Sequence, residues 1–228
     1  MTSDQSSDAE TAISPVQVDS PRSSRLAHPT REFIASLPPF KGLEQRNIYW
    51  VNSRSAADSA IAALKASSVV GFDTESKPVF VAGAPRTGPH LVQISLGDRC
   101  FCLPTESDWA IEVASYALQA ETLLKVGFGV SNDRKPLSAK LRIKLRSTLD
   151  LATVVRRIGY RQRVGLQAAV AIVLGKRLNK SKRLQTSNWA ARPLSASQLA
   201  YAANDAYASL HVYEALAQTN PEWLSMTS

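Results

Sequence analysis

Cysteine is scarce in this chain of 228 residues, which has only two. Cys100 and Cys102 sit in "RCFCLP", neighbours on one strand face. That spacing builds no disulfide framework, and two thiols are too few ligands for a zinc site. Both are expected to be buried and reduced. Histidine is nearly as rare: His28, His90 and His211 are scattered, and no Ser/His/Asp or Cys/His arrangement emerges from them. Long apolar runs are missing as well. No segment approaches the roughly 18 apolar residues of a membrane span, and the N-terminus lacks the basic-then-apolar pattern of a signal peptide. The glycines of "VGFG" are not accompanied by the Lys and Ser/Thr of a phosphate-cradling loop, so nucleoside triphosphate use is not indicated. A soluble, cytoplasmic protein is expected, with no membrane contact and no obligate protein partner evident.

Acids are missing from one region. The formal charge is +8, yet residues 125–192 hold 17 of the 27 Lys and Arg against only Asp133 and Asp150 of the 19 acids. A charge run is most often a solvated surface. The one-sidedness of this one favours a polyanion, and phosphate backbone in particular, as its partner.

Length and a hydrophobic content of 44% suit one domain with a sizeable core. Residues 1–32 are rich in Ser, Asp, Thr and Pro and are read as a disordered tail, leaving 33–228 as the single folded domain. Strands are expected in "NIYWVNS", "SVVGFDTE", "HLVQISLG", "RCFCLP", "LLKVGFGV" and "RSTLDL". The Gly and Pro loop "SKPVFVAGAPRTGP" separates the second from the third. Helices are expected in "SAADSAIAALKASS", "ESDWAIEVASYALQAE", "SNDRKPLSAKL" with Ser131 or Asn132 as cap, "LDLATVVRRIG" and "VGLQAAVAIVLGK". A last helix, "SASQLAYAANDAYASLHVYEALAQ", opens with a capping box of Ser195 and Gln198. The chain is therefore α/β, with strands early and helices late.

Three segments bring acids that one site can share. Strand alternation turns Asp73 and Glu75 in "VVGFDTES" to the same side. Two carboxylates about 4 Å apart repel by roughly 4 kcal/mol at an effective dielectric near 20, so the pair needs a proton, a basic partner or a cation. Asp133 follows the apolar "KVGFGV", and Asp205 in "YAANDAY" has Tyr201 one helical turn before it. Singly, each has an ordinary structural explanation. Together, four carboxylates on a compact wall can hold two divalent cations roughly 4 Å apart.

These residues carry a family likeness. "FDTE", "VGFGVSND" and "YAAND" resemble the three motifs of the DEDD superfamily of 3'-5' exonucleases. "SNWAARPLSASQLAYAANDAYASL" is similar to the third-motif region of its ribonuclease D and Werner-type branch. The likeness runs from about residue 48 to about residue 217. It implies an RNase H-like mixed sheet, three antiparallel strands first and then parallel strands, flanked by helices. It implies that Asp73, Glu75, Asp133 and Asp205 bind a metal pair, usually Mg2+ or Mn2+, and that Tyr201 orients the attacking water. Ala200 stands where the superfamily's other branch has histidine, which indicates the tyrosine-type subclass.

The activity implied is hydrolysis of the terminal phosphodiester at the 3' end of RNA or DNA, releasing nucleoside 5'-monophosphates. Many relatives have tryptophan directly after the first-motif glutamate, and here that residue is Ser76. With no helicase or helical binding module beside the exonuclease region, processivity is expected to be low. Lys180, Lys182, Arg183 and Arg192 are candidates for gripping substrate phosphates, or are solvated helix-end charges. His90 joins them because it follows the long loop beside the first motif, while Trp189, Phe128 and Leu91 are expected in the core. The competing readings are a catalytically silent nucleic-acid-binding module and a scaffold protein.

Overall fold

The computed structural model describes residues 26–160 and 162–225. Most of the expected tail therefore lies outside the described residues; its last part carries a bridge between Leu26 and Tyr160 and the start of helix α1 (Arg31–Ser36).

Six strands form one sheet: β1 (Ile48–Trp50), β2 (Val69–Glu75), β3 (Leu91–Ser95), β4 (Cys100–Pro104), β5 (Leu124–Gly127) and β6 (Thr148–Asp150), in the order β1-β4-β3-β2-β5-β6. The connections determine the directions. β2, β3 and β4 follow one another without a helix and pair antiparallel. Helices α2 (Arg54–Lys65), α3 (Asp108–Gln119) and α4 (Arg134–Leu141) supply the crossovers that parallel neighbours require. β5 accordingly runs parallel to β2 and β6 parallel to β5. The expected mixed sheet is present, with β1 added parallel to β4 at the far edge.

Each face of the sheet is covered. Val70, Phe72, Val92, Ile94, Phe101 and Leu103 point into a core shared with α2 and α3. The other face lies under the long helix α8 (Ala196–Thr219), itself packed on α6 (Leu166–Leu174), and there Leu91, the free thiols of Cys100 and Cys102, Trp189, Tyr201, Ala202 and Ala203 pack together. α8 begins as its sequence predicts: Ser195 Oγ accepts from the Gln198 amide at 3.2 Å, and the Gln198 carboxamide oxygen accepts from the Ser195 amide at 3.0 Å. Helix α4 begins differently. A short turn over Val130–Asn132 precedes it and Asp133 is the cap residue, without a capping bond from its side chain. The expected cap at Ser131 or Asn132 is thus displaced, and the Asp133 carboxylate is spent elsewhere.

α8 lies on β2 with backbone almost touching backbone. A Cβ on Gly71 would overlap the carbonyl oxygen of Ala206, and neither main chain can step aside without moving a whole element. Gly71→Ala is therefore expected to lower the unfolding free energy by about 1–3 kcal/mol or more, read as a reduced urea midpoint with an unchanged slope. An unchanged midpoint would show that the contact is looser than described. Among the described residues no helix is long and apolar enough to cross a membrane.

Candidate active site

β2 ends where α8 crosses it, and this junction gathers the acids. Asp73 and Glu75 are two residues apart on β2 and face α8, while Asp205 projects from the helix toward them. Oxygens of these three carboxyl groups lie within 4.8 Å of one another. Asp205 is 3% exposed, and Asp73 and Glu75 are half-buried. Lys180 answers the concentration of negative charge: its Nζ donates to Asp205 Oδ2 at 2.7 Å and stands 5.5 Å from the centre of the Tyr201 ring. Tyr201 lies one turn before Asp205 on the same helical face, its phenol close enough to the Asp205, Glu75 and Asp73 carboxyls to feel their charge. Its ring packs at 6.1 Å from that of Trp189, which is fully buried as expected.

The electrostatics follow from this crowding. Burial, then the repulsion of Asp205, raises the Asp73 carboxyl to about 8 although Lys180 pulls it down. Glu75 is raised to about 9 by burial and then by Asp73 and Asp205. Burial raises Asp205 as well, against the lowering by Lys180 and Tyr201. The Tyr201 phenol is raised by burial and by the three carboxyls, Asp205 foremost. Such a set binds either protons or cations.

Asp133 stands beside the trio and not within it. Its Oδ1 accepts a hydrogen bond from Thr74 Oγ1 at 2.6 Å, and Thr74 lies on the strand face opposite Asp73 and Glu75. Its charge nevertheless raises both of those carboxyls. Its own rises to about 6 through burial and, more weakly, through Asp150, against the Thr74 hydrogen bond. The turn before Asp133 contains Gly129 at φ +76°, whose amide donates to Asp150 Oδ1 at 2.9 Å. Asp150 also caps α5 (Leu151–Arg157) through the Ala152 amide, so it positions the backbone that carries Asp133.

The basic candidates separate. Lys180 is in the site, while Lys182 and Arg183 are exposed on the short helix α7 (Lys182–Gln185), two and three residues beyond Lys180. Arg192 is committed to the protein. Its guanidinium pairs with the Glu106 carboxylate through Nε and Nη2, and it donates to the carbonyls of Trp189 at 2.9 Å, Ala191 at 2.7 Å and His90 at 3.0 Å. That accounts for all five of its donors, so it is a staple beneath the site and not an open phosphate grip. His90 is buried, with Nδ1 accepting from the Lys77 amide and Nε2 paired with Thr87 Oγ1; it holds the loop that follows β2.

Two further residues escape reading by motif. Thr74 is hidden between two acids of higher interest. Gln93 lies directly across the ladder from Asp73 and is fully buried, and its carboxamide has no protein partner. A polar residue inside the apolar strand "LVQIS" is the signal that could have drawn attention to it.

Comparison with known proteins places these observations in a family. The family model described as "3'-5' exonuclease" matches residues 48–219. The mouse bifunctional 3'-5' exonuclease/ATP-dependent helicase WRN is 32% identical over 151 residues, covering 65% of this chain and 11% of that protein. A 3'-5' exonuclease of Arabidopsis thaliana is 32% identical over 149 residues, covering 64% of this chain and 52% of its own length. The chain thus spans about half of one of these relatives and about a tenth of the other. The crystal structure of the Nibbler EXO domain of Aedes aegypti superposes with a TM-score of 0.67 at 25% identity, covering 79% of this chain and 91% of that one.

Proposed function

The chain belongs to the 3'-5' exonuclease family, and from that premise we propose that it shortens nucleic acid from the 3' end by a two-metal-ion hydrolysis that releases nucleoside 5'-monophosphates. Residues 33–228 act as one exonuclease domain. The observation that carries this reading is the convergence of Asp73, Glu75 and Asp205, from two distant segments, on one volume with Tyr201 beside it.

The donors suit a hard divalent cation. Three carboxyl groups within 4.8 Å offer only oxygen, the ligand type of Mg2+ and Mn2+. A cation is already needed there, and the Lys180 ammonium answers part of that need. Asp73, Glu75 and Asp205 would hold the metal ions, with Asp133 joining from beside Thr74. When bound, the ions activate water and offset charge on the departing 3' oxygen.

The protein's own groups do the rest. Tyr201 is held through its ring by Trp189 with its phenol beside the carboxyl groups, so its oxygen can position a water for in-line attack. Burial and the three carboxyls raise its pKa, so without bound cations it is a protonated, hydrogen-bonding phenol at neutral pH. Lys180 holds the Asp205 carboxylate in register and, with the exposed Lys182 and Arg183, offers positive charge to the substrate phosphates. Arg192 and His90 act indirectly, by fixing the walls of the cleft.

Incubation of the protein with a 5'-labelled single strand and Mg2+ or Mn2+ tests the reading. It requires a ladder of products shortening from the 3' end, suppressed by chelator. Retained binding with unchanged strand length would instead support a silent binding module. Tyr201→Phe, which preserves the ring packing and removes one hydroxyl, is expected to lower kcat about 100-fold with KM altered only a few-fold. A matching loss in KM would mean that the hydroxyl binds substrate instead of orienting water.

A further inference from the structure

Between Glu75 and Leu91 the chain makes a long excursion, residues 76–90, out of the end of the sheet that holds the acids. Its neck is fixed. Ser76 and Gly88 abut so closely that a Cβ on Gly88 would overlap the Ser76 hydroxyl. His90 ties Lys77 and Thr87 together at 3.1 Å each, and Lys140 of α4 donates to the Pro89 carbonyl at 2.7 Å. The tip is a turn, closed by the Ala84 amide on the Val81 carbonyl at 3.2 Å.

On this fixed neck the tip presents apolar side chains to water. Phe80 is 83% exposed, Val81 70% and Val79 40%. Scattered single apolar residues on a surface need no explanation; three in succession on an anchored loop beginning one residue after Glu75 do. The surroundings are cationic, with Lys77 and Arg86 exposed in the loop and Lys140 at its foot. Residues 76–90 include no Asp or Glu. An exposed ring on a loop whose own charges are Lys77 and Arg86, with Glu106 at its foot already paired to Arg192, suits a single nucleic-acid strand, whose bases stack on aromatic faces while its phosphates meet Lys and Arg.

We propose that this loop is a substrate-holding arm in which Phe80 stacks an unpaired nucleobase near the 3' end of the strand and Lys77 and Arg86 contact the adjoining phosphates. The proposal rests on the exonuclease reading and adds to it a base contact outside the acid cluster. Every base has a π-face, so the contact is tolerant of sequence.

Fluorescence anisotropy of a short labelled single strand, in chelator so that the strand stays intact, tests the arm. Phe80→Ala is expected to weaken binding at least about fivefold, Phe80→Trp to restore it, and Lys77→Ala with Arg86→Ala to reduce its salt dependence. On a strand whose last nucleotides are abasic, the wild type is expected to bind weakly and Phe80→Ala to lose nothing more. Unchanged affinity in Phe80→Ala would overturn the proposal and leave the tip to a protein partner. An equal loss on the abasic strand would overturn it as well. Cleavage by the wild type is scored separately with Mg2+, so failure of the exonuclease reading and failure of the arm remain distinguishable.

Discussion

Asp73→Asn is expected to reduce 3'-end shortening by about a thousandfold or more, equivalent to about 4 kcal/mol of transition-state stabilisation, and at the same time to make the metal-free protein more stable. The two effects have one origin. Asp73 is crowded by Glu75 and Asp205 and is reached by the charge of Asp133; its ionised form suits a cation and costs stability without one. Asparagine has nearly the same shape and no charge, so it cannot replace the ligand but relieves the repulsion. Activity measured on a labelled strand should collapse while the melting temperature in chelator rises, with the gain larger at pH 8 than at pH 6. A variant retaining more than a tenth of wild-type activity would show that the carboxyl trio is not the reacting centre.

The second large effect is a pH dependence of stability that divalent cations remove. Asp73, Glu75 and Asp133 are raised to about 8, 9 and 6, above ordinary carboxyl values near 4. The folded protein therefore binds more protons than the unfolded chain over this interval, and stability falls as pH rises through it. The contribution of these groups is complete below about pH 4 and is lost progressively toward pH 9. Lys125 acts oppositely at the upper end. It is fully buried, with Nζ donating to the Ala120 and Leu123 carbonyls at 2.7 Å each, and burial lowers it to about 8. Its contribution grows only above that value, and His90, lowered by burial and then by Lys140 and Arg192, opposes the carboxyl groups only up to the ordinary imidazole value of about 6.5, so the interval from about pH 7 to 8 reports the carboxyl groups.

Cations compete with protons for the same oxygens, and their stabilising effect should increase with pH. At a hundred times its dissociation constant, Mn2+ would add about 2.7 kcal/mol, or about 5–10 °C in Tm for a chain of this size. Thermal melts in chelator should fall across the interval, and melts in Mn2+ should be nearly level. Parallel slopes with and without Mn2+ would contradict the assignment.

How much of this was legible in the residues depends on the range of the rule applied. Local periodicity was enough to set Asp73 beside Glu75 and Tyr201 beside Asp205, because alternation on a strand and the turn of a helix act within four residues. It also identified the capping box that starts α8. The meeting of strand and helix was legible only through the family likeness, although Gly71 in β2 and the alanines of α8 are the small residues such a close crossing demands.

Side-chain partners across the fold were not legible. Nothing in spacing pairs Lys180 with Asp205 across twenty-five residues. Arg192 reads as an open cation until Glu106 and three carbonyls are brought around it. Asp133 reads as a free carboxylate until Thr74 donates to one of its oxygens. The cap of α4 was misplaced for the same reason: Ser131 and Asn132 have better capping chemistry, but the short turn at Val130–Asn132 carries the chain past them.

The most direct test of the central claim is a titration of Mn2+ into chelator-treated, dialysed protein, followed by the loss of the free-ion electron paramagnetic resonance signal. Binding is expected in the wild type, tightened by a nucleoside 5'-monophosphate and lost in Asp73→Asn and Asp205→Asn, with both variants still folded by circular dichroism. Mn2+ binding of equal strength in those variants, or none in the wild type, would contradict it.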